Sequence, residues 1–111
     1  MGYEFTKVDI LDVISGDTFD HTYTIEAEFE VVPTMQVTAT IKEFYDGEPV
    51  LLFSNDDGSI ELNGQDVRLI KSATEMILPA GKYMYDVSFK GLDNIVVTLF
   101  GGKFHVKSSL R

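Results

Sequence analysis

Apolar and polar residues alternate with a period of two along most of the chain. In residues 23–31, aromatic and aliphatic side chains occupy every second position, and threonines and glutamates fill the positions between them. Successive side chains of a β-strand point to opposite faces, so this pattern predicts a half-buried strand with one acidic, solvated face. The same alternation recurs in residues 35–42 and 83–89. An amphipathic helix would scatter these apolar residues around its surface.

Turn-forming residues separate the alternating segments. The Asn63-Gly64 pair lies between two apolar runs and predicts a tight hairpin, because both residue types accept the positive φ angles of such turns. Residues 45–49 and 55–58 are rich in Asp, Asn, Gly and Pro, which also favour turns. The chain is therefore divided into many short strands.

Three further segments complete this prediction. Residues 50–53 are uniformly apolar and predict a short strand, whereas residues 72–76 predict one helical turn that Pro79 ends. Gly101-Gly102 predicts a bulge or bend between the last two strands. About seven to nine short strands with no long helix predict an all-β fold, either an antiparallel β-sandwich or, second, a barrel.

The length of 111 residues, with 44% hydrophobic residues, suits one domain with one core. We expect residues 15–111 to form the sandwich and residues 1–14 to form an N-terminal arm or extra strand. This arm either caps its own sandwich or adds a strand to the sheet edge of a neighbouring molecule. No apolar run approaches the length of a membrane-spanning helix, and the acids near the start do not fit a secretion signal.

The net charge of −9 is concentrated in the first part of the chain. Residues 1–50 hold two lysines and eleven acids, whereas residues 51–111 hold seven basic and seven acidic residues. We expect no binding to nucleic acid, because phosphate backbones are bound through Lys and Arg patches. Glu26, Glu28 and Glu30 share one strand face, which is either a solvated surface or a candidate face for a basic partner.

Candidate chemistry is sparse. The chain has no cysteine, which excludes disulfides, thiolate metal sites and cysteine nucleophiles. Its two histidines, His21 and His105, have no metal-ligand spacing, and no Gly-x-Ser-x-Gly elbow occurs. The loop at residues 55–58 offers oxygen ligands without the remaining ligands of a calcium loop. We therefore expect no enzyme activity, no metal and no cofactor.

A set of spaced residues in the second half follows one order: Gly81, Tyr83, Tyr85, Asp86, an apolar strand, Gly102, Phe104 and Val106. This order resembles small tailed-bacteriophage structural proteins with an immunoglobulin-like β-sandwich, which are similar in turn to the N-terminal domain of upper baseplate proteins. A looser match at residues 16–19 extends the resemblance over roughly residues 15–111. The last residues are Leu-Arg where the family pattern has Thr-Arg.

The resemblance implies a single antiparallel immunoglobulin-like β-sandwich, with structural roles for the matched residues. We expect Gly81 to adopt a backbone conformation that residues with a Cβ resist, and Tyr83 and Tyr85 to supply apolar area to the core. Asp86 would lie on the opposite strand face, bonded to a neighbouring turn or facing a partner. The alternative for the two tyrosines is an aromatic platform for sugars. Gly102 and Phe104 complete the motif.

As a function, the resemblance implies a non-enzymatic virion structural protein of a tailed phage, on the neck, tail, baseplate or capsid surface. It would be made in the cytoplasm of the host bacterium, and its partners would be other virion proteins and further copies of itself. One alternative is a carbohydrate- or protein-binding module of a bacterial surface system, which predicts an exposed aromatic patch. The other is an acidic protein from a mobile element that binds a basic host factor.

Overall fold

The computed structural model describes residues 6–25, 31–32, 34–44, 47–91 and 95–108. This part of the chain forms nine β-strands and one short 3-10 helix, Ala73–Met76. The strands are β1 (Thr6–Lys7), β2 (Ile10–Ile14), β3 (Phe19–Thr24), β4 (Gln36–Lys42), β5 (Pro49–Ser54), β6 (Ile60–Asn63), β7 (Asp66–Lys71), β8 (Gly81–Lys90) and β9 (Val96–Lys107). No helix in these ranges is long and apolar enough to cross a membrane.

The strands form two sheets that pack face to face. The large sheet has the order β1-β9-β8-β4-β5, with β2 also paired to β9, and the small sheet has the order β3-β7-β6. Pairs within the body of both sheets are antiparallel, and this division of strands is that of an immunoglobulin-like sandwich. The predicted all-β class, the β-sandwich and the number of strands are confirmed.

Alternation along the strands produces the core. In β4, Val37, Ala39 and Ile41 are fully buried, and the residues between them face outward. The Phe19 ring of the small sheet contacts Phe53 and Phe104 of the large sheet, with centroid distances of 5.5 and 5.7 Å. Burial of these apolar surfaces is the main force that holds the two sheets together.

Hydrogen-bonded tyrosines take the place that a disulfide has in many immunoglobulin domains. The Tyr83 hydroxyl donates to the Pro79 carbonyl at 2.6 Å, which forms a tyrosine corner at the start of β8. Two residues later, where antibody domains place a cysteine, Tyr85 shares a 2.7 Å hydroxyl–hydroxyl bond with Tyr23 of the small sheet. A polar link thus joins the two sheets in a chain without cysteine.

The N-terminal arm lies along its own sandwich. The predicted extra strand in residues 1–14 is, in its described part, two strands, β1 and β2, and both pair parallel to β9. Val8 and Asp9 lie between the two strands: the Tyr85 hydroxyl donates to the Val8 carbonyl at 2.6 Å, and the Lys103 amide donates to Asp9 Oδ1 at 3.0 Å. Of the two uses predicted for the arm, its described residues show the pairing with its own sheet.

Gly102 lets the arm approach β9, and Gly101 lets β8 approach it from the other side. A Cβ on Gly102 would lie 2.5 Å from Asp9 Oδ1 and 2.8 Å from the Val8 carbonyl oxygen, and one on Gly101 would collide with the Tyr85 carbonyl. The prediction that this pair separates two strands is wrong, because β9 runs through it as one strand of 12 residues. The register shift in the β8–β9 pairing falls just before the glycines, between the pairs Val87↔Phe100 and Ser88↔Thr98.

Local turns follow the sequence in most cases. Gly58 and Gly64 adopt positive φ angles of 83° and 62° in the predicted turns, and the predicted helical turn is the 3-10 helix after Ser72. Gly81 is an exception to the prediction. It does not adopt a positive φ, and an added Cβ would meet only the Tyr83 ring at 3.7 Å. The predicted need for glycine at this position is therefore wrong.

Candidate interaction surface

The edge strand β5 carries two exposed apolar residues, Val50 and Leu52. Alternation points Phe53 into the core, where it is fully buried, and points Val50 and Leu52 outward, where 41% and 49% of their surface is exposed. Among the described residues, β5 pairs with one strand, β4. No residue from Pro49 to Ser54 carries a charge. The outward side of β5 is thus apolar, uncharged and open to solvent.

The outer face of the large sheet extends this apolar area. Leu52 lies opposite Thr40, and Thr40 lies opposite Asp86 on β8. In the next row, Lys42 lies between Pro49 and Met84, a residue that is also exposed. We call Val50, Leu52, Met84, Thr40 and Lys42 the β5 surface.

Asp86 borders the β5 surface. Desolvation by its neighbours raises the pKa of the Asp86 carboxyl, and the nearby Lys42 ammonium partly offsets this shift. The residue lies in the middle of the sheet opposite Thr40 and Gly101, and within the described residues no hydrogen bond joins its side chain to a turn. Asp86 thus lies next to Thr40 of the β5 surface.

The remaining motif residues build the fold. Tyr83 and Phe104 lie opposite each other in the core, as do Tyr85 and Gly102, and the Tyr85 ring meets Phe104 edge-on at 6.0 Å. Burial is the largest cause that raises the pKa of Tyr85 to about 12; the negative charge of Asp9 adds to this shift, and the hydrogen bond with Tyr23 opposes it. Buried rings cannot serve as an exposed sugar platform, so the structure gives these tyrosines the core role that was predicted.

The outer face of the small sheet carries charged residues of opposite sign that pair with one another. Arg68 donates to both carboxylate oxygens of Asp20, at 2.9 and 2.7 Å, and to Glu61 at 3.1 Å. These bonds lower the pKa of Asp20 and raise that of Arg68. Glu26, Glu28 and Glu30, the predicted partner face, lie outside the described residues.

An open groove of about 410 Å³ runs between β2 and β3. Its aspartates are engaged with the protein: Asp12 accepts from Lys107 at 2.8 Å and Asp20 binds Arg68. His21 lines the same groove between the rings of Phe19 and Tyr23, and burial lowers its pKa. These residues stabilise the seam between the sheets.

On the buried side of β5, Lys71 packs over the Phe53 ring and forms an ion pair with Glu75. The Lys71 ammonium lies 5.0 Å from the centre of the Phe53 ring and 3.8 Å from Glu75. Ser59 donates to Asp57 through its hydroxyl and its amide, and these bonds lower the pKa of Asp57. Within the described ranges, no group of three or more His, Cys, Asp or Glu residues is placed to hold a metal ion.

Sequence patterns alone did not identify the β5 surface. The uniformly apolar residues 50–53 predicted a strand, but not the position of that strand in a sheet. One signal was present: Pro49 opens the strand, and proline is confined to edge strands or to the first residue of a strand because it has no N–H for the ladder.

Comparison with known proteins supports the fold. No protein-family model matches the chain, and no curated protein matches it. Among solved structures, it is similar to one described as a putative glycoside hydrolase from Bacteroides vulgatus, with 17% identity and a TM-score of 0.54. The similarity covers 90% of this chain but only 17% of that chain. At this identity the likeness concerns the β-sandwich alone.

Proposed function

We propose that the protein is a non-enzymatic structural component of a tailed-phage virion, on the neck, tail, baseplate or capsid surface. In this role it docks to other virion proteins and to copies of itself, and it is made in the cytoplasm of the host bacterium. The observation that carries the proposal is the β5 surface, where Val50 and Leu52 are exposed on an uncharged strand. The resemblance of residues 15–111 to small phage structural proteins supports the same role.

The docking mechanism follows from the size of this surface. A contact of a few apolar residues is weak by itself, but copies arranged around a symmetric particle bind together with a high effective concentration. Aggregation before assembly is limited by the net charge of −9, which keeps free copies apart. The same features suit a protein that is soluble alone and stable in an assembly.

The test is peptide mass spectrometry with copy-number estimation on density-gradient-purified phage particles from the source. We expect the protein at tens of copies or more per particle, and the number would suggest a ring, tail or shell position. If clean particles contain none while infected cells contain much, the virion role is wrong.

A second candidate is a carbohydrate- or protein-binding module of a bacterial surface system. One observation favours it: the Phe44 ring is 63% exposed. Binding to bacterial polysaccharides, measured by affinity electrophoresis with Phe44→Ala as the control, tests this candidate. Retention that depends on Phe44 would support it, and equal migration with and without polysaccharide would contradict it.

A further inference from the structure

The outer face of the large sheet collects positive charge. The outward positions of β4, β8 and β9 carry the lysines Lys42, Lys82, Lys90, Lys103 and Lys107. Asp86 is the one acid at the outward positions of these three strands, all of which the structure describes. Lys107 forms an ion pair with Asp12, whereas the other four lysines form none within the described residues.

The basic residues on other strands are paired. Outside β4, β8 and β9, the ion pairs of the described residues are Lys7 with Asp9, Arg68 with Asp20 and Glu61, and Lys71 with Glu75. Acids outnumber basic residues by 18 to 9 in the chain, so carboxylates are not scarce. The four lysines lack a partner because the fold gathers them on one face and places most of the acids elsewhere.

Three of these lysines surround one exposed methionine. Lys42, Met84 and Lys103 lie opposite one another in a row across β4, β8 and β9. Lys82 is two residues before Met84 on the same side of β8, and His105 lies opposite Lys82. Neighbouring strands are about 4.8 Å apart and a two-residue step spans about 7 Å, so the lysine Cα atoms are about 8–10 Å from one another. We call Lys42, Lys82 and Lys103 the lysine triangle.

We propose that the lysine triangle binds a carboxylate-rich surface of another protein, with Met84 packed in the middle of the contact. This docking rests on the proposed virion role and deepens it by naming the chemistry of the partner. Opposite charges that face each other across an interface select the partner and its orientation. Salt screens exposed charges beyond about 8 Å, so the triangle acts on the carboxylates in contact with it more strongly than the rest of the acidic chain does.

Residues next to the lysine triangle restrict the partner further. Lys42 and Met84 also belong to the β5 surface, so the partner's carboxylates must lie beside apolar side chains that meet Val50 and Leu52. Asp86 follows Met84 at the next outward position of β8 and repels a carboxylate placed opposite it. The partner therefore combines acidic and apolar residues and has no acid at the position that faces Asp86.

A second copy of the chain and a nucleic acid both match this face less well. Carboxylates of this chain are already bonded within it: Asp12 accepts from Lys107, Asp20 from Arg68 and Asp57 from Ser59. A second copy thus offers carboxylates that would have to give up these bonds. A phosphate backbone is bound through many Lys and Arg contacts, and a long one would also meet the acidic remainder of a chain of net charge −9.

The test compares two variants with the same chemical change. Lys82 and Lys90 both lie on the outward side of β8, about 27 Å apart along the strand. Each variant is supplied as the only copy of the protein during phage growth, and its copies per purified particle are counted by peptide mass spectrometry. We expect Lys82→Glu to lower the copy number at least tenfold and Lys90→Glu to leave it unchanged, with thermal unfolding unchanged in both.

Equal copy numbers for the two variants would overturn the docking through the triangle and leave the virion role intact. Absence of the unchanged protein from particles would refute the virion role alone. In particles that contain the protein, a carbodiimide joins lysine amines to carboxylates in contact with them. We expect Lys82 and Lys103 to be joined to Asp or Glu of another virion protein. If they are joined to carboxylates of this chain alone, a foreign partner is wrong.

The isolated chain can be tested without particles. The probe is poly-L-glutamate at low salt, where screening is weak, and duplex DNA is the second probe. We expect poly-L-glutamate to bind the protein, Lys82→Glu to weaken this binding at least tenfold, and Lys90→Glu to leave it unchanged. No binding of poly-L-glutamate, or equal binding by both variants, would overturn the proposed contact. Tighter binding of duplex DNA than of poly-L-glutamate would overturn it in favour of a nucleic acid.

Discussion

At one end of the large sheet the arm strands β1 and β2 pair with β9, and at the other end β5 pairs with β4; within the described residues each of these edge strands has one partner strand. The covered edge is held by specific bonds: Tyr85 to the Val8 carbonyl, Lys103 to Asp9, and Lys107 to Asp12. At the β5 edge, the Ser59 hydroxyl accepts a hydrogen bond from the Ser54 amide, and Pro49 begins the strand. Unpaired strand edges invite pairing with other chains, so proteins usually block them. The edges differ in that β5 exposes the apolar side chains Val50 and Leu52, which is why the proposed docking uses this edge.

The largest contrast lies within β5 itself. Phe53 is fully buried under Lys71, while its neighbour Leu52 faces solvent. We expect Phe53→Ala to lower the free energy of unfolding by about 4 kcal/mol, because it leaves a cavity in the core. Leu52→Ala should change it by less than about 1 kcal/mol. Urea unfolding of both variants measures this, and similar losses would mean that Leu52 is not at an open edge.

The covered edge depends on close backbone approach. Gly102→Val places a side chain where Val8 and Asp9 lie, so we expect a loss of about 3 kcal/mol in the free energy of unfolding. Gly81→Ala is the control, because its Cβ meets only the Tyr83 ring, and we expect a change within about 1 kcal/mol. A well-tolerated valine at position 102 would show that the arm does not pack there.

Tyr85→Phe tests the bond that fastens the arm. The change leaves the Val8 carbonyl and the Tyr23 hydroxyl without their partner, so we expect a loss of about 1–3 kcal/mol. Hydrogen exchange should accelerate at the Val8 amide, which bonds the Gly101 carbonyl. Tyr83→Phe removes a bond to Pro79 and should leave exchange in the arm unchanged. Equal acceleration in both variants would contradict this assignment.

The smallest effect concerns Asp12. Its hydrogen bond and charge interaction with Lys107 lower the pKa of the carboxyl. A lowered pKa means that the pair stabilises the folded arm at pH values above the unfolded pKa of Asp, and that this stabilisation is lost as pH falls through the folded pKa. We expect Asp12→Asn to lower the urea midpoint slightly at pH 6 and not at pH 2.5. A difference between the two proteins that persists at the lower pH would contradict the pairing.

Sequence patterns predicted the strands and turns better than they predicted which strands pair with each other. The alternation in residues 35–42 and 83–89 corresponds to β4 and β8, and Asn63-Gly64 forms the predicted hairpin. The continuity of β9 through Gly101 and Gly102 was missed, because the glycines serve the approach of the arm and neighbouring backbone, not a bend. The tyrosines of the motif were expected in the core, but their hydroxyl bonds depend on atoms far away along the chain.

At the candidate site, too, the sequence predicted the face of a side chain but not its neighbours on other strands. Asp86 was placed on the correct face of its strand, because alternation assigns each side chain to one of two faces. Its neighbours Thr40 and Gly101 come from β4 and β9, and no pattern within one strand predicts which strands lie beside it.

By itself the sequence determined the all-β class, the approximate strands and turns, and which residues face the core, because these depend on local backbone preference and on a period of two. Only the tertiary structure decided that the arm runs parallel to β9, that Tyr23 meets Tyr85, and that β5 ends a sheet. Strand neighbours are chosen by packing and hydrogen bonding across the whole chain. An apolar strand such as β5 looks the same in sequence whether it is central and buried or at an edge that another molecule can pair with.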